Sequence, residues 1–150
     1  MSLGGGGGGQ LQELAAQLEE LEQHRELIEA EITSLQEEKR EIDEAIEAID
    51  ELESGSTVQV PLGGGAYVRA EVADIDEIIV TFGSDYAAER DSDGAVQTLE
   101  SKQETLDDRI EEMRSDVSDL ERESENLEQR IEQARAQQMQ QLQQQQQQNE

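Results

Sequence analysis

The chain has 150 residues, with 38 acidic side chains against 11 lysines and arginines and a formal net charge of −27. Aromatic residues make up 2% of it and cysteine is absent, so neither an ordinary globular core nor a disulfide framework is expected. Such an acidic surface repels nucleic acid, because binding there needs cations that neutralise phosphates. The sequence has neither an apolar run of the ~20 residues that cross a membrane nor a secretory signal at its start, so a cytoplasmic protein is expected.

The acidity also indicates the salt concentration at which the protein is stable. Only Lys39 and Lys102 are lysines, and excess acid with few lysines is typical of proteins from salt-loving organisms. Mutual repulsion destabilises a compact acidic chain at low salt, whereas the Debye length shrinks to ~3 Å at molar salt. An acidic disordered tail is the alternative, but the acids are spread along periodic helices. We interpret the composition as salt adaptation.

The first predicted element is a coiled-coil helix over residues 10–54, preceded by a disordered tail at residues 1–9 whose glycine run has no capacity to pack. From residue 11 to residue 49 a seven-residue repeat holds, and ten of its twelve a and d positions are apolar. The a positions are Leu11, Leu18, Arg25, Ile32, Lys39 and Ile46, and the d positions are Leu14, Leu21, Ile28, Leu35, Ile42 and Ile49.

Two β-hairpins are predicted between the helices, over residues 55–91. Alternating apolar residues on both sides of the glycines at 63–65 predict the first hairpin, and a similar alternation around a turn at Gly83-Ser84 predicts the second. Pro61 is expected at an edge or a bulge, because proline cannot donate a ladder hydrogen bond. So small a sheet is marginally stable alone, and we therefore expect it to pair with the same insert in other chains.

A second coiled-coil helix is predicted over residues 92–136, with N-cap candidates at residues 91–93, followed by a glutamine-rich tail at residues 137–150. Ten of its twelve a and d positions are again apolar. The a positions are Val96, Gln103, Ile110, Val117, Ser124 and Ile131, and the d positions are Leu99, Leu106, Met113, Leu120, Leu127 and Ala134.

Two helices of nearly equal length around a small insert predict an antiparallel pair, each helix ~60 Å long at 1.5 Å per residue. If their closed ends meet, Lys39 falls within about a turn of Gln103, and Arg25 within about a turn of Ser124. We hypothesise that these polar layers fix the register, because a slip would bury a charge against an apolar layer. Alternatively, the long Lys and Arg stems simply extend out of the seam into water.

Residues suited to catalysis are scarce in this sequence. The lone histidine, His24, flanks the seam and is expected to be a solvated surface residue, and without cysteine it cannot form an imidazole and thiolate cluster for a metal. The three glycines at 63–65 lack the Lys-Ser/Thr ending of a phosphate-binding loop. We therefore expect no enzyme activity, no cofactor and no metal site.

The residues of the insert resemble the alpha class of archaeal prefoldin subunits. The matching segments are VQVPLGGGAYV at residues 58–68, DEIIV at 76–80 and GSDYAAER at 83–90. The resemblance extends over roughly residues 10–135 and leaves out the glycine run and the glutamine tract. It implies an α+β fold: a long antiparallel α-helical coiled-coil hairpin with two central β-hairpins that assemble into an intersubunit β-platform or barrel. A haloarchaeal source would account for the acidity.

The same resemblance implies an ATP-independent holdase, a chaperone that captures unfolded proteins at its coiled-coil tips and transfers them to a group II chaperonin. Two alpha-type and four beta-type subunits would form the hexamer. The rival hypothesis is a structural coiled-coil spacer or scaffold whose β insert is a dimerisation hinge. The oligomerisation residues implied for this sequence are Val58, Val60, Leu62, Val68, Val72, Ile78, Val80 and Phe82.

Client binding is expected at the open ends of the two helices, where fraying costs least and flexible apolar side chains adapt to many shapes. We expect these residues to be exposed; the alternative is that they are ordinary seam residues buried between the helices. The candidates are Leu11, Leu14, Leu18, Ile131, Ala134, Met139 and Leu142.

Overall fold

The computed structural model describes residues 5–82 and 85–148. Its elements follow in the order α1 (Gly5–Glu51), β1 (Thr57–Gly63), β2 (Ala66–Glu71), β3 (Ile78–Phe82), β4 (Tyr86–Arg90) and α2 (Ser92–Gln148). The order confirms the prediction of two long helices around two hairpins. The predicted turn at Gly83-Ser84 and the first four residues of the predicted tail lie outside the described residues.

Both helices are longer than the sequence predicted. Helix α1 begins at Gly5, so residues 5–9 are helical where a disordered tail was expected, and α2 continues past residue 136 into the glutamine tract. Nucleation is the unfavourable step of helix formation, and each residue added to an existing helix gains a backbone hydrogen bond. The coiled coil therefore supplies a helix that the glycines and glutamines extend, although each glycine costs about 1 kcal/mol relative to alanine.

The chain divides into two compact units. The terminal unit combines Met1–Thr33 with Glu111–Glu150, and the central unit is Ser34–Ile110, which carries both hairpins. All twelve seam positions predicted in each helix are buried or half-buried. The most covered of them are Ile32, Leu127 and Ile131 in the terminal unit and Leu35, Ile42 and Ile110 in the central unit. This burial confirms the predicted heptad repeat.

Grooves within the terminal unit show that the helices are antiparallel there. In the terminal unit, one groove is lined by Leu11, Leu18 and Ile131, and another by Ile32 and Val117. Residues further along α1 thus face residues nearer the start of α2, which is the antiparallel arrangement that the sequence predicted.

The hairpins are two separate two-stranded antiparallel sheets, β1 with β2 and β3 with β4. Val60 pairs with Val68 and Pro61 with Tyr67, and the register then shifts between Pro61 and Gly63. Pro61 therefore lies beside a bulge in an edge strand, as predicted. Gly64 in the turn has φ of 60°, a left-handed conformation that glycine adopts without steric cost.

Hydrogen bonds from backbone N–H groups to side-chain oxygens stabilise the junctions of the central unit. The hydroxyl of Ser54 accepts a hydrogen bond from the backbone N–H of Ile75 at 3.0 Å. At the start of α2, the carboxylate of Asp91 accepts one from the N–H of Gly94 at 2.7 Å. Asp91 is therefore the N-cap among the three predicted candidates, and these contacts connect the insert to the helix ends.

Candidate functional site

The first candidate surface is the pair of hairpins in the central unit. Of the eight predicted oligomerisation residues, three are exposed: Val60 at 40%, Leu62 at 68% and Val68 at 46%. Val58, Val72 and Ile78 are half-buried. Because each sheet has only two strands, the outer edges of both have no strand partner within the described residues. The surface therefore combines exposed apolar side chains with backbone groups that another strand can pair.

The hairpin surface in the structure differs from the predicted one at Val80. Val80 is only 5% exposed, so it belongs to the core of the central unit and is not available on its surface. The side chain of Phe82 lies outside the described part of the chain. Lys102 Nζ on α2 lies 3.5 Å from the Thr81 hydroxyl and donates a hydrogen bond to it, so the second hairpin packs near α2. Val80 is therefore a core residue of the central unit, and among the predicted residues of β3 Ile78 is half-buried.

Three exposed apolar residues of the hairpins were missing from the prediction. Tyr67, Ile79 and Tyr86 are 61%, 69% and 78% exposed. None of the three is among the eight predicted oligomerisation residues, which in β3 include Ile78 and Val80. The signal for Ile79 was present, because apolar residues at 78, 79 and 80 put apolar side chains on both faces of the strand.

The second candidate surface is the free ends of the helices, in the terminal unit. Of the predicted client-binding residues, Leu11, Leu14, Leu18 and Ala134 are half-buried and Ile131 is buried. The expectation of exposure is therefore wrong for Ile131, whereas the other four keep part of their surface in solvent, and their contact with clients stays a prediction. Met139 and Leu142 are 65% and 55% exposed, as expected.

The polar layers of the seam differ between the two units. In the central unit, Gln103 donates a hydrogen bond to the backbone carbonyl of Lys39 at 3.4 Å and also contacts the carboxylate of Asp43. The Lys39 ammonium pairs with Asp107. The predicted proximity of Lys39 and Gln103 is thus confirmed. In the terminal unit, Arg25 lies 3.9 Å from Glu29 of its own helix, and its pairing with Ser124 stays a prediction.

The lone histidine and the acidic side chains are the residues that could form a metal site. His24 is exposed, as expected. Within residues 5–82 and 85–148, no group of three or more His, Cys, Asp or Glu side chains is placed to hold a metal ion. None of the helices in the described chain is both long and apolar enough to span a membrane.

The fold and these surfaces define a coiled-coil hairpin subunit that carries β inserts suited to assembly. The sequence matches the Prefoldin family, described as prefoldin subunit, over residues 21–150. The chain belongs to the prefoldin family, and its role is that of a chaperone subunit.

Relatives from salt-loving archaea support the same assignment. The chain is 56% identical over 107 residues to the prefoldin subunit alpha of Haloarcula marismortui, covering 71% of this chain and 70% of that protein. It is 53% identical over 113 residues to the prefoldin subunit alpha of Halobacterium salinarum, covering 75% and 73%.

Solved structures share the fold. A chain of the filamentous PFD from Methanocaldococcus jannaschii has a TM-score of 0.52 at 24% identity, covering 78% of this chain and 93% of that one. The prefoldin beta subunit from Thermococcus strain KS-1 has a TM-score of 0.56 at 22% identity, covering 83% and 91%.

Proposed function

We propose that this chain is the alpha-type subunit of a cytoplasmic prefoldin hexamer, two alpha-type with four beta-type subunits. The assembly holds unfolded proteins at the free ends of its coiled-coil arms and passes them to a group II chaperonin. It works without ATP, cofactor or metal, because holding needs only reversible burial of apolar surface.

The distribution of exposed apolar side chains carries this proposal. Among the described residues, the large apolar side chains left exposed lie on the hairpins, with two more at the end of α2 and Leu27 alone on α1. The hairpin residues are Val60, Leu62, Tyr67, Val68, Ile79 and Tyr86, and those of α2 are Met139 and Leu142. Apolar patches of this kind mark interaction sites, and the two groups correspond to assembly and to client holding.

The alpha-type assignment draws on the relatives and on the insert. The two halophilic relatives described above carry the name prefoldin subunit alpha. Two hairpins between the helices, in place of one, also fit the alpha class. We propose that the edges of both hairpins pair with strands of beta-type subunits, which satisfies their outer backbone groups.

Light scattering of an unrelated, unfolding protein tests the proposal. The sample is this chain assembled with a beta-type partner in ~2–3 M KCl, where screening shortens charge repulsion to ~3 Å or less. It is compared with the same assembly lacking residues 1–18 and 131–150. We expect the intact assembly to suppress aggregation and the trimmed one to lose that activity. No suppression by an intact, verified hexamer would contradict the proposal and favour a scaffold.

A further inference from the structure

A groove of about 570 Å³ lies beside the second hairpin, inside the central unit. Helix α1 contributes Glu38 to its lining, β3 contributes Thr81, and α2 contributes Lys102 together with several residues that carry hydroxyl groups. Three grooves of the terminal unit are each lined by one arginine and two glutamates. The groove beside the hairpin differs from them because its lining has one cation and one carboxylate, and therefore no net charge.

The cation of this groove is Lys102, one of only two lysines in the chain. The other, Lys39, already pairs with Asp107. Lys102 is half-buried, and its ammonium group donates a hydrogen bond to the Thr81 hydroxyl at 3.5 Å. Among the described residues Lys102 forms no ion pair, although Glu38 lines the same groove. In a chain with 38 acidic side chains, a half-buried cation is thus left without a carboxylate.

The hydrogen bonds of the lining show which donors remain available in the groove. The hydroxyls of Thr98 and Thr105 donate to carbonyl groups of their own helix at 2.9 Å and 3.2 Å, so their protons are already used. The Lys102 ammonium has three N–H groups and uses one of them on Thr81. The Thr81 hydroxyl accepts this bond and keeps its own proton for another acceptor. The available donors therefore meet where α2 contacts β3.

We propose that this groove binds a carboxylate side chain of the beta-type subunit whose strand pairs with the second hairpin. The inference rests on the proposed assembly and adds to it a polar contact that selects the partner. Lys102 Nζ and Thr81 Oγ1 lie 3.5 Å apart, so one carboxylate can accept from both. Thr81 belongs to β3, whose outer edge has no strand partner among the described residues. A strand that pairs there places its side chains next to the groove.

Partial burial explains why one ion pair matters at high salt. Exposed pairs contribute little, and molar salt screens them, whereas partly buried pairs are screened much less. Lys102 is also held by Thr81 before the partner arrives, so less side-chain entropy is lost on binding. A strand without an acid at the matching position leaves Lys102 without a carboxylate. The pair therefore favours one partner, which the apolar contacts of the hairpins do not do by themselves.

Variants of the full chain, assembled with a beta-type partner in ~3 M KCl, test the inference. The chain carries a fluorophore on a cysteine introduced by Gln129→Cys, an exposed position of the terminal unit. Fluorescence anisotropy then gives the partner concentration at half-assembly. Lys102→Gln removes the charge and keeps a donor for Thr81. We expect it to raise that concentration about tenfold, which corresponds to ~1.4 kcal/mol.

Two further variants separate the charge of Lys102 from other effects. Lys102→Arg keeps the charge and should retain most of the affinity. Arg122→Gln is the matched control, because it removes an exposed cation and its ion pair from the terminal unit, and its affinity should stay that of the unaltered chain. Equal affinities of Lys102→Gln and Arg122→Gln would overturn the inference and leave the proposed assembly intact. An unaltered chain that did not assemble with the beta-type partner would instead contradict the proposed function.

A double-mutant cycle identifies the carboxylate. Each acidic residue in and beside the strands of the beta-type partner is replaced singly by its amide, and assembly is measured with the unaltered chain and with Lys102→Gln. We expect one acidic residue whose replacement weakens assembly with the unaltered chain and has no effect with the variant. If Lys102→Gln weakened assembly but coupled to no acidic residue of the partner, the inference would be wrong. The groove would then hold a free anion such as chloride, or Lys102 would only stabilise the hairpin.

Discussion

Single side chains fix where the elements of this chain begin and end. Asp91 satisfies one of the otherwise unpaired N–H groups at the start of α2, because its carboxylate accepts from the N–H of Gly94 at 2.7 Å. Its backbone carbonyl accepts the first regular helical hydrogen bond, from the N–H of Ala95 at 2.8 Å. Ser92 adds a contact to Asp76 Oδ1 at 3.4 Å, which connects this cap to the segment before β3. Asp91 thus caps α2, and the neighbouring Ser92 connects the start of this helix to the insert inside the central unit.

Replacing this cap is expected to destabilise the assembly. Asp91→Ala removes the carboxylate acceptor, and we expect the free energy of unfolding to fall by about 1 kcal/mol per chain. The measurement is urea unfolding followed by circular dichroism at fixed KCl and fixed protein concentration, because oligomer stability depends on concentration. Asp93→Ala is the matched control, since it removes an equal charge from the same turn without removing the cap. Equal losses in the two variants would show that charge, and not capping, is what matters there.

Among the elements, the paired helices show how an acidic coiled coil selects one register. In the central unit, the side chain of Gln103 contacts both Lys39 and Asp43 on the facing helix, and Lys39 pairs with Asp107. Polar residues in a seam specify register at a cost in stability. The contacts favour the register hypothesis over Lys39 simply extending into water, because both its backbone carbonyl and its ammonium group contact α2.

We predict that Lys39→Leu with Gln103→Leu makes the coil more stable but less specific. Two leucines in the seam should add about 1 kcal/mol each to the free energy of unfolding through apolar burial. The hydrogen bonds of Gln103 and the ion pair of Lys39, which form only in the correct register, are lost at the same time. Since the chain has no cysteine, spin labels on cysteines introduced at Gln36 and Asp108 can report the distance between the helices. We expect a single narrow distance distribution before the change and a broader or multiple one after it. An unchanged distribution would refute a role of this layer in register.

The buried seam was predictable from sequence because the heptad repeat places an apolar residue at many equivalent positions. Each a and d position independently favours burial, so one exception such as Lys39 does not hide the pattern. The hairpins lack this redundancy. Ile79 and Val80 are both apolar, and only packing of the second hairpin within the central unit decides that Val80 is buried and Ile79 exposed. Likewise, the sequence could not show that α1 extends through five glycines, because intrinsic propensity opposes it.

At the scale of the whole molecule, charge and apolar surface occupy different parts of the chain. The acids follow the outward faces of the helices from Glu13 onward, whereas the exposed apolar residues lie mainly on the hairpins and at the end of α2. The charged helices help to keep a subunit with exposed apolar surfaces in solution, because net charge opposes nonspecific association. The same charge makes the folded state depend on salt.

The salt dependence follows from like charges on neighbouring turns. Glu19, Glu22 and Glu26 are exposed and lie three and four residues apart, so their carboxylates repel one another along α1. The Debye length is about 10 Å at 0.1 M salt and ~3 Å at 1 M, so repulsion between such neighbours acts at low salt and is mostly screened at high salt. We therefore expect the helical circular dichroism signal to fall as KCl is lowered towards ~0.1 M.

A triple variant connects this loss of helix to the carboxylates. Replacing Glu19, Glu22 and Glu26 with glutamine removes the repulsion with little change in helix propensity, and we expect the KCl midpoint of folding to move to lower concentration. Aspartate at the same three positions keeps the charge and is the matched control; its midpoint should not fall. If the glutamine and aspartate variants shared one midpoint, repulsion along α1 would not be the cause of the salt requirement. The requirement would then arise elsewhere, for example in pairing of the hairpins between subunits, and its midpoint would depend on protein concentration.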